Sequence, residues 1–137
     1  IEAIARDAEG RETARHRIET ATRPVSLVVS PETSTWTADG MDLMFLNITA
    51  VDSRGRVVPT FDEEMTVDVT GPASFVAMDN GDHYTPTLFQ GVTTKPMKGG
   101  RMQVILRSTR QQGKVTVKVS TAKLKQSYKT ATQNVTD

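Results

Sequence analysis

Apolar and polar side chains alternate along several short segments of the chain. A two-residue period is present at 46–50, at 65–70 and, most regularly, at 115–120. Because successive side chains of a β-strand point to opposite faces of a sheet, this period is typical of strands that bury one face and expose the other. The pattern predicts antiparallel sheets in which Leu46, Ile48, Val115 and Val117 point into the core.

Short clusters of Asp, Asn and Gly separate the alternating segments. Glycine adopts positive φ at little cost, and Asp and Asn side chains accept hydrogen bonds from nearby backbone N–H groups. Strands at this spacing, with turn signals between them, predict a β-sandwich of about seven strands. The residues that we expect in structural turns are Asp39, Gly40, Asp52, Gly55, Asp79, Asn80, Gly81 and Asp82.

Two later segments have a weaker pattern. Residues 83–100 show no sustained period and contain several Pro and Gly residues, so we expect a long loop with a short edge strand near Leu88 and Phe89. Residues 127–135 are rich in Thr, and we expect a closing edge strand there.

The first 23 residues admit two interpretations. Ala, Glu and Arg favour a helix, and Glu2 and Arg6 have the i,i+4 spacing of a helical ion pair. Alternation at 1–6 and 14–18, with a turn signal between them at 7–10, favours a β-hairpin instead. The pattern alone leaves both open. The polar stretch 20–23 before Pro24 indicates a linker, so we predict one unit over 1–23 and a sandwich domain over 24–137.

Composition narrows the classes of function. The chain has 137 residues, enough for about one domain. Its formal net charge is only +1, which disfavours a nucleic-acid partner, and no apolar run is long enough to insert into a membrane. Without cysteine, neither a disulfide framework nor a thiolate metal site can form. The chain begins with Ile1, and we expect it to be a piece of a longer protein.

Aromatic residues are the candidate sugar contacts. Trp36 is the only tryptophan, and a flat indole face suits the C–H face of a pyranose, although an indole in the core or at a domain interface is the competing interpretation. Tyr84 and Phe89 lie in the irregular segment and are the other candidates for a carbohydrate contact.

Acidic residues give no clear catalytic or metal site. Asp79, Asn80, Asp82 and His83 have oxygen and nitrogen atoms that suit a metal, but Asn-Gly and Gly-Asp are also what a tight turn requires. The adjacent acids at 62–64 are typical of a solvated loop rather than of two carboxyl groups held across a cleft. We therefore predict no catalytic residue, no cofactor and no metal.

Taken as a set, these motifs resemble a known family. The segment ADGMDLMFLNITAVDSRGRVVP at 38–59, the strand that ends at Gly71-Pro72, the motif FVAMDNGD at 75–82 and the Gly113 hairpin are similar to the C-terminal immunoglobulin-like domain of bacterial family 2 glycoside hydrolases of the β-galactosidase type. The similarity covers about 24–131. It implies an immunoglobulin-like antiparallel β-sandwich, preceded at 1–23 by a hairpin from the module before it.

The resemblance also implies a function for the chain. Such domains are non-catalytic accessories that pack on other domains of the parent enzyme or on a second subunit, while the catalytic carboxylates lie on a separate barrel. The parent would hydrolyse a terminal β-linked sugar, and we expect it in the periplasm or outside the cell. A carbohydrate-binding module that uses Trp36 and a spacer repeat of a bacterial surface adhesin are the alternatives. Trp36 departs from the aliphatic residue usual in the family, which puts a transferred loop contact in doubt.

Overall fold

Ten β-strands make up the regular structure of this computed structural model, which describes residues 1–133. No helix occurs in that range, and thus none that is long and apolar enough to cross a membrane. The strands are β1 (Glu2–Arg6), β2 (Glu12–Arg17), β3 (Ser26–Pro31), β4 (Leu43–Val51), β5 (Glu64–Thr70), β6 (Ala73–Asp79), β7 (Thr94–Pro96), β8 (Arg101–Ser108), β9 (Gly113–Ser120) and β10 (Lys125–Thr132).

Two four-stranded sheets form an immunoglobulin-like sandwich. One sheet has the order β10-β9-β5-β7 and the other β3-β4-β8-β6, and every pairing within them is antiparallel. The predicted all-β sandwich is therefore confirmed, with eight strands in place of about seven. Of the expected closing strand at 127–135, residues 134 and 135 lie outside the described range.

The core lies between the two sheets, as the two-residue period predicted. Leu46, Ile48, Val115 and Val117 are each at most 1% exposed, so the predicted inward positions are confirmed. Leu27, Met44, Met65, Met78, Val104 and Leu106 pack with them. The sandwich closes without crosslinks because both sheets present one continuous apolar face.

The first two strands stand apart from the sandwich as a two-stranded sheet. β1 and β2 form an antiparallel pair that begins with Glu2 opposite Arg17. This segment is therefore a hairpin and not a helix. Every residue of both strands is exposed. On one face, the Arg15 guanidinium contacts Glu2 at 2.8 Å and Glu12 at 2.7 Å.

One strand differs from the sequence-based expectation. The short edge strand lies at Thr94–Pro96, where it pairs with β5, and not at Leu88 and Phe89. Beside β6, the carbonyl oxygen of Phe89 accepts a single backbone hydrogen bond from Met78 at 2.9 Å. Lys95 is the residue of β7 that points inward. Because lysine is polar, the alternation of apolar and polar residues did not predict a strand here. Its side chain is fully buried, and its Nζ lies 4.1 Å from the centre of the Phe89 ring.

Glycine is required where two backbones meet at the end of the sandwich. Gly100 has φ of 70°, and a Cβ at this position would lie 2.3 Å from the carbonyl oxygen of Val58. Gly81 has a similar φ of 73° with nothing within 4 Å of the added Cβ.

Substitutions at these two glycines separate the energetic cost of a steric clash from the cost of backbone strain. We expect Gly81→Ala to cost about 1–2 kcal/mol, the cost of a left-handed L-residue. Gly100→Ala should cost clearly more, because the backbone of Val58 must also move. Urea unfolding of both variants measures the difference, and equal losses would show that the close approach at Gly100 is unimportant.

The buried lysine gives a second test. A buried ammonium with no hydrogen-bond acceptor is costly, and the ring of Phe89 compensates only in part. Lys95→Met keeps the volume and removes the charge, so we expect unchanged or higher stability, whereas Lys95→Ala should lose about 2 kcal/mol or more by leaving a cavity. Thermal unfolding compares the two, and a Met variant as weak as the Ala variant would refute this explanation.

Candidate functional site

The junction between the hairpin and the sandwich is organised by one carboxylate. Asp52 directly follows β4, and its side chain is fully buried. Its Oδ1 accepts hydrogen bonds from the backbone N–H groups of Arg54 at 2.9 Å and Arg56 at 3.0 Å, which closes the predicted turn through Gly55. Its Oδ2 accepts from the backbone N–H of Thr22 at 2.9 Å, so the same carboxylate also holds the linker.

Charged side chains extend this junction toward the hairpin. Arg56 donates from Nε to Asp52 Oδ2 at 2.9 Å and from Nη1 to Glu19 Oε2 at 3.2 Å, and Glu19 also contacts Arg17 at the end of β2. The Arg56 guanidinium, followed by the Thr22 N–H, holds the pKa of Asp52 well below its usual range, and the same pairing raises the pKa of Arg56. The network connects residues 17–22 to the 52–56 turn.

A cleft of about 690 Å³ lies beside this network. Ile1, Ile18 and Ala21 line it from the hairpin side, and Val57 and Pro59 line it from the sandwich side. Ile1 and Ile18 are 97% and 61% exposed, so the cleft has apolar side chains that nothing in residues 1–133 covers.

Asp39 and Gly40 lie in a turn before β4. Asp39 Oδ1 accepts from the backbone N–H groups of Met41 and Asp42 at 2.7 Å each, and Gly40 has φ of 81°. The hydrogen bond from Met41, with that from Asp42, holds the pKa of Asp39 below its usual value. These side-chain contacts close the turn that leads into β4.

Successive side chains of the 79–84 segment hydrogen-bond to the backbone two residues on. Asp79 accepts from Gly81 N–H at 2.8 Å, Asn80 from Asp82 N–H at 3.0 Å and Asp82 from Tyr84 N–H at 3.1 Å. Within the described range, no group of three or more His, Asp or Glu side chains could hold a metal ion. The geometry of this segment is that of a tight turn.

The three aromatic candidates for a sugar contact are not brought together. Trp36 is 1% exposed and donates from Nε1 to the carbonyl oxygen of Asp42 at 3.1 Å, so it lies in the core and presents no ring face to a sugar. Tyr84 and Phe89 lie on the 83–93 loop, 96% and 46% exposed. The ring of Phe89 faces the buried Lys95, a residue that sequence reasoning missed because lysine is uncommon inside a core.

The acidic residues at 62–64 have structural contacts. Asp62 accepts from the backbone N–H of Gly99 at 2.9 Å, and Glu63 pairs with Lys123 at 2.8 Å. This pairing raises the pKa of Lys123. Neither arrangement places two carboxyl groups across a cleft, as glycoside hydrolysis requires.

Two β-galactosidases are relatives of this chain in sequence. The β-galactosidase BoGH2A of Bacteroides ovatus is 28% identical over 126 residues, and the match covers 92% of this chain and 15% of that protein. The β-galactosidase of Thermoanaerobacter pseudethanolicus is 24% identical over 110 residues, covering 80% of this chain and 13% of that protein. The chain therefore spans about one seventh of the length of these relatives.

A solved structure and a family model also match. A glycosyl hydrolase family 2 member from Bacteroides cellulosilyticus superposes with a TM-score of 0.92 at 20% identity, over 96% of this chain and 17% of that one, which establishes the shared fold. The model of the glycoside hydrolase family 2 C-terminal domain 5 matches residues 27–130, which is most of the sandwich. The chain thus belongs to the family of glycoside hydrolase family 2 C-terminal domains.

Proposed function

We propose that this chain is a non-catalytic accessory domain of a β-galactosidase-like enzyme, in which it packs on other domains of the same polypeptide or on a second subunit. The family match over 27–130 carries the proposal, together with the small part of each β-galactosidase relative that the chain covers. The parent would hydrolyse a terminal β-linked sugar with carboxylates that lie elsewhere. The family match favours this function over a spacer repeat of an adhesin.

The hairpin supports a contact with a neighbouring module. A two-stranded sheet with every residue exposed is marginally stable alone in water, and β1 and β2 each retain one unpaired edge among the described residues. Further strands from the preceding module would pair with those edges and cover Ile4 and Ile18. In this proposal, residues 1–18 complete that module, and the sandwich follows it.

The junction would then set the angle between the two modules. Hydrogen bonds from Thr22 and Arg56 to Asp52, and from Arg56 to Glu19, fix both ends of the linker to the 52–56 turn. Two modules joined by a flexible linker adopt many orientations, whereas this network allows few. The accessory role therefore depends on side chains that hold a position and carry out no chemistry.

Removal of the domain from the parent enzyme tests this function. We expect the truncated enzyme to keep kcat on an aryl β-galactoside within a few fold, with a lower melting temperature or an altered oligomeric state by light scattering. The chain alone should not hydrolyse the same substrate. Hydrolysis by the isolated chain, or an upstream sequence without a family 2 barrel, would refute the proposal.

The Asp52 junction makes a prediction about stability. Asp52→Asn removes the charge that Arg56 faces, so we expect a lower melting temperature at pH 7. Asp79→Asn should have little effect, because Asp79, which is partly exposed at the end of β6, accepts a single backbone hydrogen bond. Circular dichroism melts compare the variants, and equal behaviour of the two would show that the junction does not contribute to stability.

The same variant has an expected pH dependence. Because the pKa of Asp52 is lower in the folded than in the unfolded chain, its contribution is present above the unfolded value of about 4 and is lost as the pH falls below it. The difference in stability between the native chain and Asp52→Asn should therefore shrink from pH 7 to pH 3. Urea unfolding at both pH values measures it, and a difference that grows toward pH 3 would contradict the sign.

A further inference from the structure

Polar side chains form a row across the outer face of the β3-β4-β8-β6 sheet. The strand register places Ser30 opposite Asn47, Asn47 opposite Gln103, and Gln103 opposite Asp79. Together with Arg101 and neighbouring backbone, three of these residues line a cleft of about 310 Å³. This volume is at the lower end of the range for small-molecule sites. We call it the amide cleft, lined by Asn47, Thr49, Asp79, Arg101 and Gln103.

The two amides of the cleft are already oriented. Glu32 Oε1 accepts from Asn47 Nδ2 at 3.1 Å and from Gln103 Nε2 at 3.0 Å. Gln103 Nε2 also donates to Asn47 Oδ1 at 3.1 Å, which settles which way each amide points. Since these side chains are ordered before any ligand arrives, less conformational entropy is lost on binding.

The remaining polar atoms of the cleft are a mixed set of donors and acceptors. Within residues 1–133, the Arg101 guanidinium, Asp79 Oδ2 and Gln103 Oε1 have no hydrogen-bond partner. Each sugar hydroxyl both donates and accepts, so adjacent hydroxyls fit a surface that offers both functions. The lining has one carboxylate, Asp79, and one guanidinium, Arg101, and the Glu32 carboxylate is bonded to both amides, so the cleft has no excess of positive charge and is unsuited to a phosphate.

Apolar surface lies next to the polar row. Phe45 and Ile105 are directly opposite each other on β4 and β8, two positions along from Asn47 and Gln103 on the same outer face, and both are partly exposed. A pyranose presents hydroxyls at its rim and C–H groups on its faces, and an aromatic side chain beside amides can contact both. The sequence did not predict that these apolar side chains lie beside the amides, because the residues become neighbours only through strand register.

We propose that the amide cleft binds a neutral glycan. Gln103, Asn47 and Asp79 contact the hydroxyls of one sugar unit, and Arg101 donates to a hydroxyl or the ring oxygen of that unit. Phe45 lies outside the cleft, on the other side of Asn47 from Thr49, and contacts the C–H face of the next unit. The choice of a glycan over another neutral polyol rests on the proposed function. Such a site would hold the parent enzyme on its polysaccharide while the barrel cleaves it.

An NMR titration of the chain with neutral sugars tests the site directly. Galactose, lactose and neutral galacto- and xylo-oligosaccharides are added to ¹⁵N-labelled chain at up to about 20 mM, which suffices to detect a Kd of a few millimolar. We expect at least one of them to shift the amide signals of residues 47, 49, 79, 101 and 103. Absence of shifts with every sugar, or shifts confined to the 83–93 loop, would overturn the proposal.

Matched variants assign the binding to the cleft. Gln103→Ala and Arg101→Ala should each weaken binding at least tenfold, while Ser127→Ala on the outer face of the other sheet should leave it unchanged. All three side chains lie on outer faces of the sandwich and none is buried in the core, so melting temperatures should stay close to that of the native chain. Tighter binding of glucuronate than of galactose would contradict the proposal that the ligand is a neutral glycan. A negative result in these titrations would leave the truncation test of the accessory role unaffected, and the converse also holds.

Discussion

The whole molecule depends on the burial of one face from each of two four-stranded sheets. There is no cysteine to crosslink the chain and no helix in residues 1–133 to cover a sheet, so stability comes from apolar side chains at alternate positions. Few of those side chains are aromatic. Methionine fills much of the interior instead, at Met44, Met65, Met78, Met97 and Met102, and its flexible side chain fits irregular gaps between the sheets.

This arrangement decides where function can lie. Inward positions are taken by packing, and even Trp36, which suits a sugar contact by residue type, is used in the core. Outward faces, turns and the junction with the hairpin remain. The Asp52 junction and the amide cleft both occur at such positions, and both are built from side chains whose orientation other polar groups fix.

Local signals in the sequence predicted most of the strands and turns. Contacts between residues far apart in the sequence could not be predicted from these signals. Strands such as β9 were predictable because a two-residue period needs only neighbouring residues, and the turn at Asp52 because Asp and Gly have local conformational effects. β7 was missed, since its inward residue is Lys95. The amide cleft joins positions 47, 49, 79, 101 and 103, and only the register of β4, β8 and β6 brings them together.

The pairing of the buried Asp52 with the partly exposed Arg56 is better explained by specificity than by stability. Removing an ion pair from water costs about as much as the attraction returns, and an apolar pair of similar volume would stabilise a turn at least as well. An apolar pair, however, has no preferred direction, whereas Asp52 accepts bonds from both Thr22 and Arg56, and Arg56 also binds Glu19. These bonds can all form only when the linker leaves the sandwich along one path. In the proposed accessory role, in which the domain holds its neighbours in place, that single path matters more than additional stability.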